Sequence, residues 1–197
     1  MPFTDTTEPV PPWLKTDEFA LRPIVVDDTE RDYAAVMETR EQLRLWQQST
    51  WPEDGFTVEQ NRQDLLDLEE RHAAHRAFTY TVLSPDGSTC LGCVYVFATS
   101  ATFLTRCTVV PVGEDTWEDV QAVVFFWVRL SQMERGLDER LLSALRAWFR
   151  DEWGLERTVF VTSEPFTQQV DLISRTDLTL RFELLEPGKP ARHLVFG

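Results

Sequence analysis

The stretch from residue 120 to residue 163, VQAVVFFWVRLSQMERGLDERLLSALRAWFRDEWGLERTVFVTS, contains two strand patterns separated by a helix pattern. Residues 120–129 are nearly all β-branched or aromatic, which is typical of a strand covered on both faces. Residues 158–162 (TVFVT) predict a second strand. Because strand–helix–strand crossovers are right-handed and join parallel strands, we expect these two strands to lie parallel in the sheet, with residues 120–129 at its centre.

The segment between the two strands predicts one amphipathic helix that begins after Gly136. Its apolar residues recur at spacings of one, three and four, which places them on one helix face. The glycine before the helix has two interpretations: a turn that binds phosphate, or a simple helix start. The apolar face consists of Leu141, Leu142, Leu145, Trp148 and Phe149.

The N-terminal half predicts one strand followed by two helices. Residues 18–26 alternate and then become apolar, as a strand does, and residues 29–46 have apolar side chains at helical spacing. Thr57 and Gln60 form a capping box, because the hydroxyl and the amide each satisfy a free backbone N–H at a helix start. We therefore expect a second helix over residues 58–77.

The middle of the chain predicts an antiparallel hairpin. Residues 78–82 alternate apolar residues with threonine, Asp86 and Gly87 supply a turn, and residues 90–97 are again strand-like. Residues 98–119 have no clear period, and we interpret them as a long hairpin connection.

The C-terminal part predicts a short helix and a last hairpin. The helix is expected within residues 164–177, and residues 178–185 and 192–196 flank a Pro-Gly-Lys-Pro turn. At the other end, residues 1–17 carry too few apolar side chains for an element of their own, and we expect an extended lead-in. Residues 18–197 are expected to form a single domain.

The composition favours a globular protein that binds cations rather than nucleic acid. The 197 residues carry a formal net charge of −14, which repels nucleic acid and anionic membranes. The longest apolar run, residues 122–128, is far shorter than the roughly 20 residues that a membrane helix needs. The first residues lack a basic and apolar signal region. We therefore expect a cytoplasmic protein without nucleic-acid or membrane partners.

Cysteine and histidine spacings do not predict a metal site. Cys90 and Cys93 are three apart on a predicted strand, so we expect their side chains to point to opposite faces. His72 and His75 are three apart on a predicted helix, which would permit two metal ligands, but a solvated helix face is the favoured interpretation. An odd number of cysteines suits a reducing compartment.

The order of elements resembles the GNAT superfamily of N-acetyltransferases over residues 18–197. The resemblance rests on FFWVR (125–129), RGLDERLLSALRAWF (135–149) and TVFVTSEP (158–165). It implies an α+β fold, an α/β/α sandwich with a mixed and mostly antiparallel sheet. The central parallel strands of such a sheet splay around the cofactor site.

The resemblance also implies a site for acetyl-coenzyme A as co-substrate. In the family, a loop of pattern Gln/Arg-x-x-Gly-x-Gly/Ala follows the central strand. The helix N-terminus after it binds the cofactor's pyrophosphate through free N–H groups and the helix dipole. The corresponding positions in this sequence are Met133, Glu134, Arg135, Gly136, Leu137 and Asp138.

Two positions of this loop depart from the family pattern. Met133 stands in place of Gln or Arg, and Asp138 in place of a small residue that lets backbone approach phosphate. At about 5 Å and an effective dielectric of roughly 20 to 80, the Asp138 carboxylate would repel a unit negative charge by about 1 to 3 kcal/mol. We expect Arg135, Arg140 or Arg129 to offset part of this repulsion.

Further site residues are carried over from the family by position. Backbone near Trp127, Val128 and Arg129 would pair with the amides of the pantetheine arm. Ser163 and Glu164 follow the second parallel strand, where family members contact the acetyl end or the pantetheine, and we predict Ser163 as a catalytic residue.

The acid and base of the reaction are less well defined by the resemblance. Glu118 lies near the start of the central strand, and we predict it as the group that removes the proton of the amine, directly or through water. The position of the family's tyrosine acid is occupied by Ile173. The acid would then be another residue or water, since acetyl transfer can be driven largely by positioning.

The favoured function is therefore transfer of an acetyl group from acetyl-coenzyme A to a primary amine of a small, cationic molecule, by a monomer or homodimer. The acidic set around Trp117 could attract such an amine, although a solvated hairpin tip is the favoured interpretation. The off-pattern Met133, Asp138 and Ile173 motivate an alternative, a catalytically inactive GNAT-fold protein that binds or regulates. A third possibility is an unrelated α/β protein that binds a small ligand. The acidic set is Glu114, Asp115, Glu118 and Asp119.

Overall fold

The two central strands and the helix between them form as the sequence predicts. In the computed structural model, which describes residues 9–197, β6 (Ala122–Val128) leads through the short α4 (Leu130–Met133) into α5 (Leu137–Asp151) and then β7 (Thr158–Ser163). β6 and β7 are parallel, with Ala122 opposite Thr158. The predicted crossover is confirmed.

The remaining strands extend the sheet on both sides of this pair. The other strands are β1 (Leu14–Lys15), β2 (Ala20–Pro23), β3 (Phe78–Leu83), β4 (Cys90–Phe97), β5 (Thr108–Pro111), β8 (Leu180–Leu185) and β9 (His193–Phe196). Over residues 9–197 the strand order is β1-β2-β3-β4-β6-β7-β9-β8-β5, and every neighbouring pair except β6–β7 is antiparallel. The expected fold class, a mixed and mostly antiparallel sheet with a central parallel pair, is confirmed.

Helices cover both faces of the sheet. The apolar face of α5 packs with Ile173 of α6 (Thr167–Ser174) against alternate residues of β6 and β7, among them Phe126 and Phe160. The opposite face carries α1 (Thr29–Glu38), α2 (Arg40–Gln47) and α3 (Val58–Ala73), whose side chains surround Trp127. Among the described residues, no helix is long and apolar enough to cross a membrane.

The single helix expected over residues 29–46 is wrong, because the chain leaves helical geometry at Thr39. This buried residue has φ −100° and ψ 10°, and its Oγ1 accepts a hydrogen bond from the amide of Leu130, 3.0 Å away. The carboxylate of Glu38 accepts from the amide of Ser131 at 3.0 Å. The break therefore places two side chains where they cap the start of α4.

The capping box of α3 is confirmed, but the predicted end of the helix is not. Thr57 Oγ1 accepts from the amide of Gln60 at 3.2 Å, and the Gln60 side chain accepts from the amide of Thr57 at 2.9 Å. The helix ends at Ala73 rather than at residue 77, and His75 takes a left-handed φ of 54° that a continuing helix cannot accommodate.

The interpretation of residues 98–119 as a hairpin connection is wrong, because they contain β5. This strand pairs with β8, with Thr108 opposite Leu185, and forms one edge of the sheet. Its partner lies about 70 residues later in the chain, so local sequence does not reveal the pairing.

The expectation that Cys90 and Cys93 face opposite sides is also wrong. The β3–β4 register shifts between Val82 and Leu83, so that Val82 lies opposite Gly92 and Leu83 opposite Cys90. The extra residue, Leu91, turns to the α5 side, and both cysteines lie in the cluster around Trp127. A β-bulge thus cancels the alternation that the prediction assumed. Burial raises the pKa of both thiols.

His193, the first residue of β9, is a buried histidine beside the central strands. It is 7% exposed and lies opposite Ser163 in the β7–β9 register. Its burial, with a smaller effect of Lys189, lowers the pKa of its imidazole to about 4. The side chain is therefore neutral at pH 7.

The first testable consequence concerns the close approach of β4 and β6 at Gly92. A Cβ at this position would lie 2.2 Å from the carbonyl oxygen of Trp127 and 3.0 Å from Cα of Val128. We expect Gly92→Ala to lower the free energy of unfolding by about 2 to 3 kcal/mol, because backbone must move apart. Urea denaturation measures this change. The control, Gly113→Ala, adds a Cβ with no atom within 4 Å and is expected to change the free energy by less than about 0.5 kcal/mol. Equal effects of the two substitutions would contradict the packing described.

The second testable consequence concerns the pH dependence of stability. The unfolded chain binds a proton at His193 with a pKa near 6.5, whereas the folded imidazole has a pKa of about 4. The contribution of the neutral His193 imidazole to the free energy of unfolding is therefore fully present above pH 6.5, and it is lost as the pH falls toward 4. We expect the free energy of unfolding to fall by about 2 kcal/mol from pH 7 to pH 5 through this group.

Urea denaturation of the wild type and of His193→Gln at both pH values isolates that contribution, since the variant should lack it. An NMR titration of the histidine ring protons gives the pKa directly. A midpoint near 6.5 for His193 would contradict the prediction.

Candidate functional site

A slit opens between β6 and β7 where their pairing ends. The two strands pair from Ala122 opposite Thr158 to Val124 opposite Phe160, and no pair beyond these joins them. β6 continues to pair with β4 as far as Val128, and β7 continues to pair with β9 as far as Ser163. The two halves of the sheet therefore separate at the carboxyl ends of their central strands, as the resemblance implied.

One side chain from α6 reaches into this slit. Gln169 is 3% exposed, and its Nε2 donates to the carbonyl oxygen of Phe126 at 3.0 Å. Within residues 9–197, its Oε1 is buried without a donor. The hydroxyl of Thr162, on β7, is also buried and has no partner in the described chain. Because an unsatisfied buried polar atom costs about 1 to 3 kcal/mol, two such atoms beside one opening indicate a place for a polar ligand.

The N-terminus of α5 lies at the mouth of the slit and offers two free amides. Gly136 takes a left-handed φ of 70° and precedes the helix. The amides of Arg135 and Gly136 donate back to Gln132 and Met133 in the turn. In the part of the chain that the structure describes, the amides of Leu137 and Asp138 have no acceptor. They point out of the first helical turn, where the helix dipole favours an anion.

The side chain of Asp138 is held at the same helix start by two hydrogen bonds. The residue is 5% exposed, and its Oδ1 accepts from the amide of Glu139 at 3.0 Å. Its Oδ2 accepts a short hydrogen bond from Nε2 of Gln168, on α6. The carboxylate therefore connects the starts of α5 and α6 across the mouth of the slit.

Two of the three arginines expected to offset the charge of Asp138 are already engaged. Arg140 pairs with Glu18 at 2.7 Å and donates to the carbonyl oxygens of Arg135 and Gly136, both at 2.9 Å. Arg129 pairs with Glu38 at 2.5 Å and holds the pKa of that carboxyl at about 2. Arg135 is exposed, and within residues 9–197 its guanidinium forms no ion pair. It is the cation best placed to meet an anion at the loop.

The remaining predicted binding residues lie along β6 and the turn after it. Trp127 and Val128 are buried, and the Trp127 indole donates to the hydroxyl of Tyr95 at 3.2 Å. Alternate backbone groups of a strand point to the same edge, so those of Val128 face the slit as the carbonyl of Phe126 does. Met133 packs partly against the core, and Glu134 is exposed.

The two predicted catalytic residues lie at opposite ends of the strand pair. Ser163 is buried at the open end of the slit, and its hydroxyl donates to the carbonyl oxygen of Leu45 at 2.5 Å. Glu118 is exposed in a 3₁₀ turn, Trp117–Asp119, before the start of β6. It therefore lies near the end at which β6 and β7 remain paired. The structure does not bring the two side chains together.

A cavity of about 460 Å³ opens on the sheet face opposite α5. Its floor comes from the neighbouring strands β4 and β6, and its walls come from α2, α3 and the turn between β8 and β9. Only three residues of these two strands are not fully buried, and all three line the cavity: Tyr95, Phe97 and Phe125. His193 and Phe125 also line it, with their ring centres 6.3 Å apart.

Sequence reasoning missed this cavity and the two α6 glutamines. The alternation of Tyr95 and Phe97 on a strand was a signal that both face one side. Nothing in the local sequence indicated that Phe125, α2 and the last hairpin meet over them. Among residues 9–197, no three His, Cys, Asp or Glu side chains are placed to hold a metal ion.

The architecture matches solved acetyltransferases. No family model matches the sequence, and no curated protein is similar enough in sequence to count as a relative. The chain resembles the structure of a protein of Vibrio cholerae described as a ribosomal-protein-serine acetyltransferase, with a TM-score of 0.69, 18% identity, and coverage of 93% of this chain and 95% of the other. A GNAT-family acetyltransferase of Bordetella pertussis gives a TM-score of 0.61 at 20% identity, covering 93% and 97% of the two chains.

A third similar structure was solved with bound ligands. The microcin C7 self-immunity acetyltransferase MccE, in complex with acetyl-CoA and AMP, gives a TM-score of 0.67 at 13% identity over 92% of each chain. At these identities the likeness concerns the fold alone. The chain therefore has the fold of the GNAT acetyltransferases.

Proposed function

We propose that this protein is an acetyl-CoA-dependent N-acetyltransferase that acts on a primary amine of a small, cationic molecule. The observation that carries the proposal is the slit between β6 and β7. It has two free amides at its mouth, on the α5 side, and a cavity large enough for a small molecule on the other face of the sheet. In the proposed transfer, the acetyl group and the amine would meet at this opening. A cytoplasmic location and a monomeric or dimeric state remain predictions from the sequence.

The polar groups beside the slit fit the pantetheine arm and the pyrophosphate of the cofactor. The amides of Leu137 and Asp138 would donate to the pyrophosphate, aided by the helix dipole. The unpartnered Oε1 of Gln169 is an acceptor, and the pantetheine arm carries amide N–H donors. The Trp127 to Arg129 backbone completes the proposed binding segment, with Met133, Glu134, Arg135 and Gly136 in the turn. When bound, the cofactor supplies an acetyl thioester. MccE was solved with acetyl-CoA, which supports the same use here.

The proposed roles of the catalytic candidates follow from their positions. The hydroxyl hydrogen of Ser163 is donated to Leu45, so its Oγ is free to accept an N–H from the amine and position it at the open end of the slit. Glu118 remains the predicted base. From the paired end of the strands, its carboxylate would remove the proton through solvent rather than by direct contact.

A second candidate function, a catalytically inactive binding or regulatory protein, is favoured by two observations. The chain's own side chains already bridge the slit, through the hydrogen bonds of Gln168 to Asp138 and of Gln169 to Phe126. The buried Ile173 also stands where the family's tyrosine acid is expected. Cofactor binding separates the two proposals.

The decisive measurement is calorimetric titration with acetyl-CoA, combined with its effect on the thermal midpoint. We expect the wild type to bind and Asp138→Asn to bind about tenfold or more tightly. The reason is that removing the carboxylate relieves about 1 to 3 kcal/mol of repulsion while an amide oxygen still accepts from Gln168. A ligand at a hundred times its dissociation constant should stabilise the fold by about 2.7 kcal/mol.

Asp171→Asn is the matched control, because it removes one exposed carboxylate of α6 and should leave affinity unchanged. If neither the wild type nor Asp138→Asn binds acetyl-CoA at millimolar concentration, the transferase proposal is wrong. If both aspartate variants improve binding equally, the charge acts at long range and the proposed position of the pyrophosphate is wrong.

A further inference from the structure

The cavity over β4 and β6 is lined by aromatic rings, which suit a flat ligand. Trp46 and Phe125 meet edge to face with ring centres 6.2 Å apart, and Trp46 lies 5.8 Å from Tyr95. Phe97 and Phe103 continue this aromatic surface, with ring centres 4.9 Å apart. Central-strand residues of an α/β/α sandwich are normally covered by a helix. Here three aromatic side chains of β4 and β6 stay partly exposed, and an aromatic ring inserted among them would restore their burial.

The rim of the same cavity is acidic. Asp64 and Asp67 of α3 and Glu186 of the β8–β9 turn line it, and the lysine among the lining residues is Lys189. The ammonium of Lys189 donates to the carbonyl oxygen of Gln47 at 2.7 Å, so its charge is directed to the end of α2. Asp67 pairs with Arg71, which leaves Asp64 and Glu186 as the carboxylates without an ion-pair partner in residues 9–197.

The floor of the cavity, in contrast, carries no charge at neutral pH. Phe125 follows the last paired residue of β6, and the neutral imidazole of His193 lies opposite Ser163 at the open end of the slit. The cavity therefore has an uncharged end near the proposed acetyl donor and an acidic end at the surface. A neutral amine can react at the first end, and a cation can bind at the second.

We propose that the acceptor is a dibasic aromatic amine. One primary amine lies on the floor beside the slit, the ring lies among Trp46, Phe97 and Phe125, and a second cationic group faces Asp64 and Glu186. This assignment rests on the proposed function, since it names the acceptor of that transfer. An anionic ligand such as AMP would bring its phosphate to the acidic rim, and a peptide N-terminus offers no ring at a fixed position.

Binding without acetyl-CoA tests the assignment separately from catalysis. The four probes are 1,4-bis(aminomethyl)benzene, benzylamine, 1,6-diaminohexane and AMP, titrated by calorimetry and by quenching of tryptophan fluorescence, to which Trp46 and Trp51 of the cavity wall contribute. We expect the aromatic diamine to bind about tenfold more tightly than either benzylamine or the aliphatic diamine, and AMP to bind most weakly. Tighter binding of the aliphatic diamine or of AMP would overturn the proposal, as would no binding of the aromatic diamine.

Two sets of variants test the two ends of the cavity. Asp64→Asn combined with Glu186→Gln should weaken the aromatic diamine about tenfold and leave benzylamine unchanged. The control, Asp171→Asn combined with Glu152→Gln, removes two exposed carboxylates outside the cavity and should change neither. Phe125→Leu should weaken both aromatic probes about threefold or more and leave 1,6-diaminohexane unchanged. Circular dichroism and the thermal midpoint establish that each variant is folded. A rim variant that weakens benzylamine as much as the diamine would overturn the assignment of the second cation.

Mass spectrometry of the aromatic diamine incubated with protein and acetyl-CoA then separates the two proposals. A single acetylation with release of the free thiol is expected. Binding of the diamine without any acetylation would refute the transferase and leave the cavity assignment standing. Acetylation of other amines without binding of this probe would refute the cavity assignment alone.

Discussion

The point at which β6 and β7 stop pairing determines the rest of the site. Two parallel strands that separate leave backbone groups along both facing edges without a strand partner, and such groups must be satisfied by other means. The side-chain amide of Gln169, on α6, donates to the carbonyl oxygen of Phe126 and so satisfies one of these groups. Its own Oε1 is buried and has no partner within residues 9–197. The position of α6, the burial of Gln169 and the polar character of the slit all follow from this interruption of the sheet.

The turn after β6 is held by the opposite layer of the sandwich. The side chains of Glu38 and Thr39 accept hydrogen bonds from the backbone amides of Ser131 and Leu130. Arg129 forms an ion pair with Glu38. This contact interrupts the first long helix and, at the same time, fixes the direction in which the chain enters Gly136 and α5. The free amides at the start of α5 are therefore positioned from both faces of the sheet: by α1 and α2 through this turn, and by α6 through Asp138.

The sequence was informative wherever a feature depends on neighbours in the chain. The β-branched and aromatic composition of β6 and β7, the apolar face of α5 and the capping box at Thr57 are local patterns, and the structure reproduces them. β5 and the helix break at Thr39 depend on partners far away in sequence, and the bulge at Leu91 depends on the register of the β3–β4 hairpin, so local sequence patterns indicated none of the three. The candidate site divides in the same way. The loop residues from Met133 to Asp138 were predicted by position in the sequence, whereas Gln169 and the aromatic floor become visible only when three elements converge.

Charge connects the two proposals and explains why they place their ligands on opposite faces. A chain with a net charge of −14 attracts a cationic amine and repels an anionic cofactor, so an anion can bind only where local dipoles exceed the overall field. The start of α5 is the place that we propose, with two free amides and the exposed guanidinium of Arg135 nearby, and Asp138 works against both. The cavity needs no such compensation, because its carboxylates and the overall field act in the same direction on a cation. In the two proposals the sheet lies between an anionic cofactor and a cationic amine, and the end of the β6–β7 pairing is where an uncharged acetyl group and a neutral amine would meet.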